Sequence, residues 1–406
     1  MLVPITYNLR SLFVRKTSLL LTVFGIGATV AIVSGILALQ QGFKTMFVAG
    51  GRDDVAVFLR PGANSEGDSQ FSRDRGLQLI KNVPEIAVGE HGPEASMEAY
   101  LAVLLERSGG GLTNIPLRGV QPATFEIRGD EVKIVEGRNF KPGTDEVIIG
   151  KRLVDRIQGC RIGDSVRLNT TPFVVVGVFD HVGSFGGEIW GDLDRFCTTM
   201  GRYGPNRVIA RLKPGTVIGA ADPTKAMFSE TPIPPVPGSM ADRLRDDPVI
   251  PAKVMSEAQY LSAQTVFLTI ALISLGAMLG VVMGLAAIFT ATNTMLSALA
   301  ARSREIGILL AMGYRPIPIF LSFLFEAVVL GLIGGVVGCL LALPFNGIRA
   351  GTMNFQTFTE MAFAFRVTPF VLIVAVTFSL VLGLLGGAWP AWRAARMRPT
   401  QAMRRV

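Results

Sequence analysis

The sequence predicts a membrane α-helical protein with four transmembrane helices and a large α+β extracytoplasmic domain inserted between helices 1 and 2. Three observations support this fold class. Four long apolar stretches are present, at residues 18–39, 266–291, 317–345 and 367–392. Each is long enough to cross a bilayer, because about 20 helical residues rise about 30 Å. A long polar segment separates the first stretch from the other three, and the segments outside it carry a net positive charge.

Two other structures would also produce long apolar stretches. Buried helices of a large soluble protein rarely run past about 18 residues without a charge, and here the only ionisable residue in the four stretches is Glu326. The first stretch could be a cleaved signal peptide, because Arg10, Arg15 and Lys16 precede it. It is long for a signal h-region and residues 38–40 make a poor cleavage site, so we expect a retained span.

The distribution of charge predicts the orientation. Residues 41–262 carry 26 of the 39 Lys and Arg and 28 of the 31 Asp and Glu, which gives 26 − 28 = −2, whereas the rest of the chain carries 13 − 3 = +10. The net charge of +8 therefore indicates membrane flanks and not a nucleic-acid-binding surface. The positive-inside rule places both termini in the cytoplasm and the large domain outside a cell inner (plasma) membrane.

The segments follow one another in a simple order. Residues 1–17 carry an apolar helical stripe and predict an amphipathic helix in the cytoplasmic interface, with a plain start to the first span as an equal alternative. The predicted order then continues with a span at 18–39, the extracytoplasmic domain at 40–263, a span at 264–292, a cytoplasmic helix at 293–316, a span at 317–345, an external loop at 346–366, a span at 367–392 and a basic cytoplasmic tail at 393–406.

Short apolar runs predict that the external segment is a folded domain and not a linker. Strands are expected at 55–59, 95–105, 116–120, 147–149 and 208–212, helices at 74–82 and 151–158, and a hairpin from 165–168 and 173–179. We expect mobile surface loops at 65–72 and 108–113. The Pro-rich run 231–237 predicts extended chain packed over the domain, with a partner-recognition segment as the minor alternative.

No motif for covalent or metal chemistry is present. The sequence lacks a Walker loop, HExxH, GxSxG and paired-Cys metal spacing. His91 and His181 are far apart, so surface or loop roles are favoured over a metal site. Cys160 and Cys197 lie in the predicted external domain and could pair, whereas Cys339 lies inside a span. We expect a non-enzyme with no catalytic residue, no metal ligand and no cofactor of its own.

The segment after the second span predicts an amphipathic helix. Its apolar stripe and charged face lead to a helix end at a glycine and a proline. The stripe is Leu296, Leu299, Ile306 and Leu310, the charged face holds Arg302 and Glu305, and the end is Gly313 and Pro316. A simple interfacial helix and a docking surface for a cytoplasmic partner fit this composition equally well.

Glycines at four-residue spacing predict close helix packing in three spans. They are Gly276, Gly280 and Gly284 in the second, Gly331 and Gly335 in the third, and Gly383 and Gly387 in the fourth. Such spacing lets helices approach closely, and packing within one chain is favoured over packing across a dimer. Glu326 should lie near mid-bilayer and face the bundle, either hydrogen-bonding a neighbouring span in one state or making a permanent structural contact.

Three groups of motifs resemble those of one family. They are 301–313 (ARSREIGILLAMG) with 325–327 (FEA) and 331–335 (GLIGG), the tail 389–396 (WPAWRAAR) with Pro399 and 402–404, and the external stretches 117–120, 136–138, 146–150 and 162–164. Their order is similar to that of MacB/FtsX-type ABC transporter permeases over essentially the whole chain, although Gln401 stands where the family usually has Glu. FtsX has a much smaller external domain and MacB carries a fused ATPase, so the resemblance implies a stand-alone permease subunit.

The resemblance also implies partners and a mechanism. Such permeases work as homodimers or heterodimers with two ABC ATPase subunits, which bind ATP and Mg and grip the helix between the second and third spans. Here the coupling residues would be Arg302, Arg304, Glu305, Gly307 and Gly313. ATP-driven closure then moves the external domains and extrudes a substrate from the periplasm or outer leaflet (mechanotransmission, efflux), with a periplasmic adaptor and an outer-membrane channel as further partners. The alternative is an FtsX-like signalling device that transports nothing and activates a cell-wall hydrolase.

Overall fold

The chain forms two compact units. The computed structural model describes residues 16–48, 50–181, 183–222, 225, 229, 233–313, 315–353 and 360–397. One unit, called the helical unit below, comprises Met1–Gly42, Ile270–Ile348 and Ala364–Val406. The other, called the sheet unit, comprises Phe43–Thr269 and Arg349–Phe363.

The secondary structure combines long apolar helices with short strands. The helices are α1 (Lys16–Val48), α2 (Arg73–Asn82), α3 (Pro122–Arg128), α4 (Leu193–Thr199), α5 (Met240–Arg245), α6 (Glu257–Ala301), α7 (Ser303–Ala311), α8 (Pro316–Ala342) and α9 (Pro369–Ala395). The strands are β1 (Val55–Leu59), β2 (Val88–Gly89), β3 (Gly92–Pro93), β4 (Ala95–Glu106), β5 (Leu112–Val120), β6 (Lys133–Gly137), β7 (Glu146–Gly150), β8 (Ser165–Leu168), β9 (Thr171–Asp180), β10 (Ile189–Asp192), β11 (Arg207–Arg211), β12 (Lys253–Ser256), β13 (Arg349–Met353) and β14 (Glu360–Ala364).

Four helices, α1, α6, α8 and α9, are long and apolar enough to cross a membrane. Prolines at the first turn start α8 and α9, where a missing N–H leaves no helical bond unmade. Each helix contains most of one predicted span. The cytoplasmic helix expected at 293–316 is shorter in the structure, because residues 293–301 continue α6 and only Ser303–Ala311 forms a separate helix. The expected N-terminal helix, apart from residues 16 and 17, and tail residues 398–406 lie outside the described residues.

The sheet unit is built on a mixed ten-stranded sheet. Its strand order is β12-β1-β11-β4-β5-β10-β7-β9-β6, and β8 pairs with β9 off this path. The pairs β5·β10 and β7·β9 are parallel, whereas the neighbouring pairs β1·β11, β4·β11 and β4·β5 are antiparallel. The five expected strands, the helix at 74–82 and the hairpin are confirmed, with ends that differ by a few residues.

Two expectations for the sheet unit are wrong. The helix expected at 151–158 is a series of turns, because Ile157 is drawn into a bridge with Arg107 next to β4. The mobile loop expected at 65–72 is ordered by side-chain bonds: Asp68 accepts hydrogen bonds from the backbone N–H groups of Asn64 and Ser65, and Glu66 is only 5% exposed. The polar composition of this segment predicts exposure to solvent, but in the structure its polar groups form hydrogen bonds within the protein.

Two other segments are described in part or differ in detail. Residues 108–111 form the exposed turn between β4 and β5, and residue 112 already belongs to β5. Within the Pro-rich run, residues 231 and 232 lie outside the described part of the chain, and residues 233–236 have no regular secondary structure.

Alternation along β4 separates the two faces of the sheet. Its odd-numbered residues, from Ala95 to Val103, belong to two apolar clusters on one face. Its even-numbered residues, including Glu98 and Tyr100, point to the other face, because successive strand residues alternate sides. The cross-strand partner of Glu98 is Arg207 on β11, and that of Tyr100 is Arg118 on β5. The register therefore places opposite charges side by side on one face.

Candidate functional site

The short helix α7 presents charges on one side and apolar residues on the other. Arg304 and Glu305 are exposed, while Ile306 is 5% exposed and packs in an apolar cluster with Leu299 and Phe323. Leu296 and Leu310 pack against the same cluster, which matches the predicted apolar stripe. Gly307 is buried, and Gly313 has φ +89°, a conformation that glycine adopts without strain. The exposed side of α7 is thus a charged surface on an apolar base.

Arg302 departs from the position expected for it. The helix breaks at this residue, between α6 and α7, and Arg302 Nη1 donates a hydrogen bond of 3.2 Å to Glu326 Oε2. Its side chain is 14% exposed, so its expected place on the exposed charged face is wrong. The spacing of the apolar residues predicts one unbroken helix from residue 296 to 310. In the structure α6 ends at Ala301 and α7 begins at Ser303, and Arg302 between them pairs with Glu326.

Glu326 faces the interior of the helical unit, as expected. It is 4% exposed and shares the buried face of α8 with Phe323, Ala327 and Leu330. In such surroundings, removing one member of an ion pair is strongly destabilising, because the charge of the other member then stays buried without that partner. The pair ties the α6–α7 junction to the middle of α8.

The glycines of α8 and α9 form a close helix contact. A Cβ at Gly331 would lie 2.7 Å from the carbonyl oxygen of Ser379, and one at Gly383 would lie 2.6 Å from that of Ala327. A Cβ at Gly335 would meet the Ser379 side chain, and one at Gly387 would meet Ala327. These four positions have no room for a side chain, and their contacts lie within one chain.

The glycines of α6 are less tightly packed. A Cβ would lie 3.0 Å from Ile36 at Gly276, 3.6 Å from Val33 at Gly280 and 3.2 Å from Leu382 at Gly284. A second close contact, which the sequence analysis did not single out, joins α1 and α8. There a Cβ at Gly338 would lie 2.6 Å from Val30.

The sheet unit contains a buried group of charges, which we call the ionic cluster. Its members are Glu66, Glu98, Arg118, Arg128, Glu188, Arg207 and Glu257, each at most 5% exposed. Arg118 is its centre: Nε bonds Glu188 Oε2 at 2.7 Å, Nη1 bonds Glu66 Oε2 at 2.7 Å, and Nη1 also reaches Glu98 Oε2 at 3.1 Å. Arg207 bonds Glu98 Oε2 through Nη2 at 2.6 Å.

Aromatic rings complete the ionic cluster. The ring of Phe185 has the guanidinium carbon of Arg128 4.2 Å from its centroid and that of Arg118 at 5.0 Å. Trp190 Nε1 donates to Glu188 Oε2 at 2.8 Å. Guanidinium groups prefer such ring faces, which shield their charge from apolar neighbours without removing it.

Two carboxylates of the ionic cluster, those of Glu98 and Glu66, have lowered pKa values. Burial by itself raises the pKa of Glu98, but the attraction of Arg207, Arg118 and Arg128 outweighs it and lowers the pKa to about 2. The pKa of Glu66 is also lowered, because Arg118 and Arg207 overcome its desolvation. Such a cluster holds its elements in one geometry, because separating any pair leaves a buried charge.

The first turns of α6 belong to this cluster. Arg128 Nη2 donates to Glu257 Oε1 at 2.7 Å, and the backbone N–H of Glu66 donates to Tyr260 Oη at 3.1 Å. Glu257 is fully buried and Tyr260 is 2% exposed. The start of α6 is therefore fixed to α3 and to the 62–70 loop by buried polar bonds.

The histidines and cysteines form no metal-binding group among the described residues. No group of three or more His, Cys, Asp or Glu side chains suited to a metal ion occurs among them. His181 is 3% exposed and accepts a hydrogen bond from the N–H of Gly183. Cys160, Cys197 and Cys339 are free, so the pairing left open for the first two is not formed, and burial raises the pKa of Cys160 to about 12.

Sequence reasoning missed the ionic cluster. Glu98, Arg118 and Arg207 are single charges at or beside predicted apolar strands, and this was the available signal. A charge within a strand that is otherwise apolar requires either solvent or a partner. The partners could not be assigned from the sequence, since Arg207 and Glu98 are separated by 109 residues.

Comparison with known sequences defines the class. The profile of the MacB-like periplasmic core domain matches residues 19–223, and that of the FtsX-like permease C-terminal region matches residues 277–399. The chain is 27% identical over 97% of its length to the pyoverdine export ATP-binding/permease protein PvdT of Pseudomonas fluorescens (strain Pf0-1), and spans 58% of that relative. It is 26% identical over 97% of its length to the macrolide export ATP-binding/permease protein MacB of Agrobacterium fabrum, and spans 59% of it.

Two solved structures align with about half of the chain. The periplasmic region of MacB from Actinobacillus actinomycetemcomitans aligns with 55% of this chain and 95% of that structure, at 13% identity and a TM-score of 0.36. The extracellular domain of the transporter YknZ aligns with 50% of this chain, at 18% identity and a TM-score of 0.32.

An α+β domain of the MacB periplasmic type, joined to long apolar helices, defines an ABC transporter permease component of the inner membrane. The chain belongs to the MacB/FtsX-type ABC transporter permease family, as its sequence motifs predicted.

Proposed function

We propose that this chain is a permease subunit that converts ATP hydrolysis on separate ATPase subunits into motion of its extracytoplasmic sheet unit. The motion drives export of a substrate from the periplasm or outer leaflet. The sheet unit lies outside the inner membrane and both termini lie in the cytoplasm, in agreement with the charge distribution. The relatives are named for pyoverdine export and macrolide export, which supports an export role.

The observation that carries this proposal is the continuity of α6. It is one helix of 45 residues, roughly 68 Å long at about 1.5 Å per residue. Its first turn holds Glu257 in the ionic cluster, and its last residue precedes Arg302, which binds Glu326. A helix fixed at both ends by buried ion pairs moves as a stiff rod. A displacement of α7 by the ATPase is then transmitted to the sheet unit.

The ATPase binds the exposed charges of α7 in this proposal. Arg304 and Glu305 offer both signs of charge on a surface that resembles the coupling helix of the family. Two ATPase copies, carrying ATP and Mg, serve a dimer of permeases, and a periplasmic adaptor and an outer-membrane channel complete the export path. Substrate crosses no channel through the spans, because Glu326 is the single ionisable group within the predicted spans.

The rod is tested by interrupting it. The chain is purified with its co-purifying ATPase in lipid nanodiscs, and deuterium uptake of residues 43–269 is compared with and without ADP-vanadate. We expect nucleotide trapping to change uptake in the sheet unit of the native complex. Three glycines inserted between Thr269 and Ile270 should abolish this change while ATPase binding persists, because a flexible joint does not transmit displacement.

The control carries the same three glycines between Gly109 and Gly110, in the exposed turn between β4 and β5, and should respond like the native protein. An unchanged response after the insertion in α6 would overturn the rod mechanism. Lipid, peptide and drug profiling of a deletion strain then separates export from the signalling alternative.

A further inference from the structure

A cavity of about 750 Å³ lies within the sheet unit, at the edge of its apolar core. This volume falls in the range of roughly 300–1,000 Å³ that is typical of small-molecule sites. The cavity is lined by the loop after β1, the segment before α5, helix α5, strand β12 and the second and third turns of α6. Its apolar walls include Ile233, Pro235, Val254, Met255, Val266 and Phe267.

The cavity has a polar end. Lys253 and Asn64 both line it, and Lys253 Nζ donates to the carbonyl oxygen of Ala63 at 2.9 Å and to Asn64 Oδ1 at 3.2 Å. An ammonium group has three donors, so one remains for a ligand. Among the described residues no carboxylate lies within ion-pair distance of Lys253, whereas the second cation of the lining, Arg245, is paired with Asp246 at 2.7 Å.

The charge of the lining selects the sign of the ligand. No acidic side chain contributes to the cavity wall among the described residues. Burial lowers the pKa of Lys253, so its positive charge would be stabilised by an incoming anion. An apolar space beside a cation that has no ion-pair partner among the described residues suits a molecule with an alkyl chain and an anionic head.

The wall that α6 contributes indicates the route by which such a molecule arrives. Val266 and Phe267 belong to α6, within the stretch expected to enter the membrane, and Phe267 is 56% exposed. A membrane-dissolved amphiphile meets this helix first. Its apolar chain can therefore pass along α6 into the cavity without full exposure to water.

We propose that this cavity binds an anionic amphiphile, with the alkyl chain against Val254, Met255 and Val266 and the anionic head at Lys253. A free fatty acid and an acidic phospholipid share this chemistry. The assignment goes beyond the proposed function, because binding here requires neither the ATPase nor motion of the sheet unit.

The test uses the full chain in nanodiscs of zwitterionic lipid, without ATPase, and a palmitate that carries a photoreactive diazirine. We expect cross-links on the peptides that contain Val254 and Met255, and at least tenfold less labelling there in Lys253→Met. The matched control is Lys213→Met, which removes a lysine that bonds a backbone carbonyl elsewhere in the sheet unit and should label normally. Ala221→Trp fills the cavity from a half-buried position and should also abolish labelling.

Competition identifies the head group. Unlabelled palmitate should displace the probe and hexadecyltrimethylammonium should not. Displacement by phosphatidylglycerol would identify an acidic phospholipid as a source of the ligand, and its failure to displace the probe would identify a free fatty acid. Equal displacement by the cationic amphiphile would overturn the role of Lys253. Labelling that spreads over α1, α8 and α9 and persists in both Lys253→Met and Ala221→Trp would overturn the site, whether or not the complex transports.

Discussion

Arg302 Nη1 lies 3.2 Å from Glu326 Oε2, so the junction that leads into α7 is ion-paired to the buried face of α8. The only acid of the predicted spans is thus not an isolated charge. Its partner comes from the segment that the ATPase is proposed to grip. A force on α7 must either carry α8 along or break this pair.

A double-mutant cycle should show that the two residues act as a pair. Glu326→Leu and Arg302→Leu should each lower stability by roughly 3–5 kcal/mol and impair ATPase coupling, because each removes the ion-pair partner of a largely buried charge. Glu326→Gln retains a hydrogen-bond acceptor and should keep assembly and much of the activity. The double Leu variant should recover most of the lost stability, read from thermal unfolding in nanodiscs. Additive losses in the double variant would contradict the pairing.

Charge reversal on α7 should separate docking from folding. Glu305→Lys changes an exposed residue, so the chain should insert and unfold normally while ATPase co-purification or stimulated ATP turnover falls severalfold. The matched control is Glu136→Lys, an exposed reversal on β6 of the sheet unit. Equal co-purification and equal turnover in all three proteins would exclude α7 as the docking surface.

Cysteine labelling should establish the orientation. In a variant with Cys160, Cys197 and Cys339 replaced by alanine, Ser108→Cys should react with a membrane-impermeant maleimide in intact spheroplasts, and Glu305→Cys should react only after lysis. Both positions are exposed, whereas Ser65 and Ser303 are 4% and 8% exposed and would label poorly on either side. The opposite pattern would invert the proposed topology.

Glu98 should support stability at neutral pH and lose that support in acid. Its folded pKa of about 2 lies below its ordinary 4.5, so its contribution is complete above pH 4.5 and disappears as pH falls toward 2. The shift corresponds to roughly 3 kcal/mol. Glu98→Gln should therefore have a lower free energy of unfolding than the native chain at pH 7. Its free energy of unfolding should also change less than that of the native chain as the pH falls toward 2. Glu146→Gln serves as control: its pKa is also about 2, through a hydrogen bond from Arg138, but this surface pair is worth at most about 1 kcal/mol.

His181 should add a second pH dependence at higher pH. Burial, assisted by the nearby charge of Arg128, lowers its pKa from 6.5 to about 4. Its stabilising contribution is complete above pH 6.5 and is lost as pH falls toward 4, because the unfolded chain then binds the proton more readily. His181→Asn keeps an acceptor for the Gly183 N–H and removes the titration. Its unfolding midpoint should change less between pH 7 and 5 than that of the native chain, and an equal change would assign the dependence elsewhere.

The elements that could be predicted are those set by local pattern. Long apolar stretches predicted α1, α6, α8 and α9, and short apolar runs predicted β1 and β4, since the length and composition of a run need no knowledge of its partner. The order of the segment at 65–72 could not be predicted, because it depends on partners that are distant in the sequence. Glu66 and Ser69 look like solvent-exposed residues until the fold brings Arg118 and Asn206 to them.

The segment around α7 also shows that local pattern does not predict features that depend on tertiary contacts. The apolar stripe of α7 followed from spacing, and its members do pack together. The helix break at Arg302 did not follow, because residues 296–310 contain neither proline nor any strong helix stop except Gly307. In the structure the break coincides with the ion pair between Arg302 and Glu326, and this pair becomes visible only when α8 is in place.

The different tightness of the glycine contacts has a mechanical consequence. Where Gly331 meets Ser379 and Gly383 meets Ala327, the backbones touch and there is no space for one helix to slide past the other. At Gly280 the nearest neighbour, Val33, is at an ordinary van der Waals separation of 3.6 Å. Helices α8 and α9 therefore form a rigid pair. Helix α6 contacts this pair closely at Gly386, where a Cβ would lie 2.7 Å from the Cβ of Ala291. An axial force on α6 is thus passed to α9 at this contact and to α8 through the ion pair of Arg302 and Glu326.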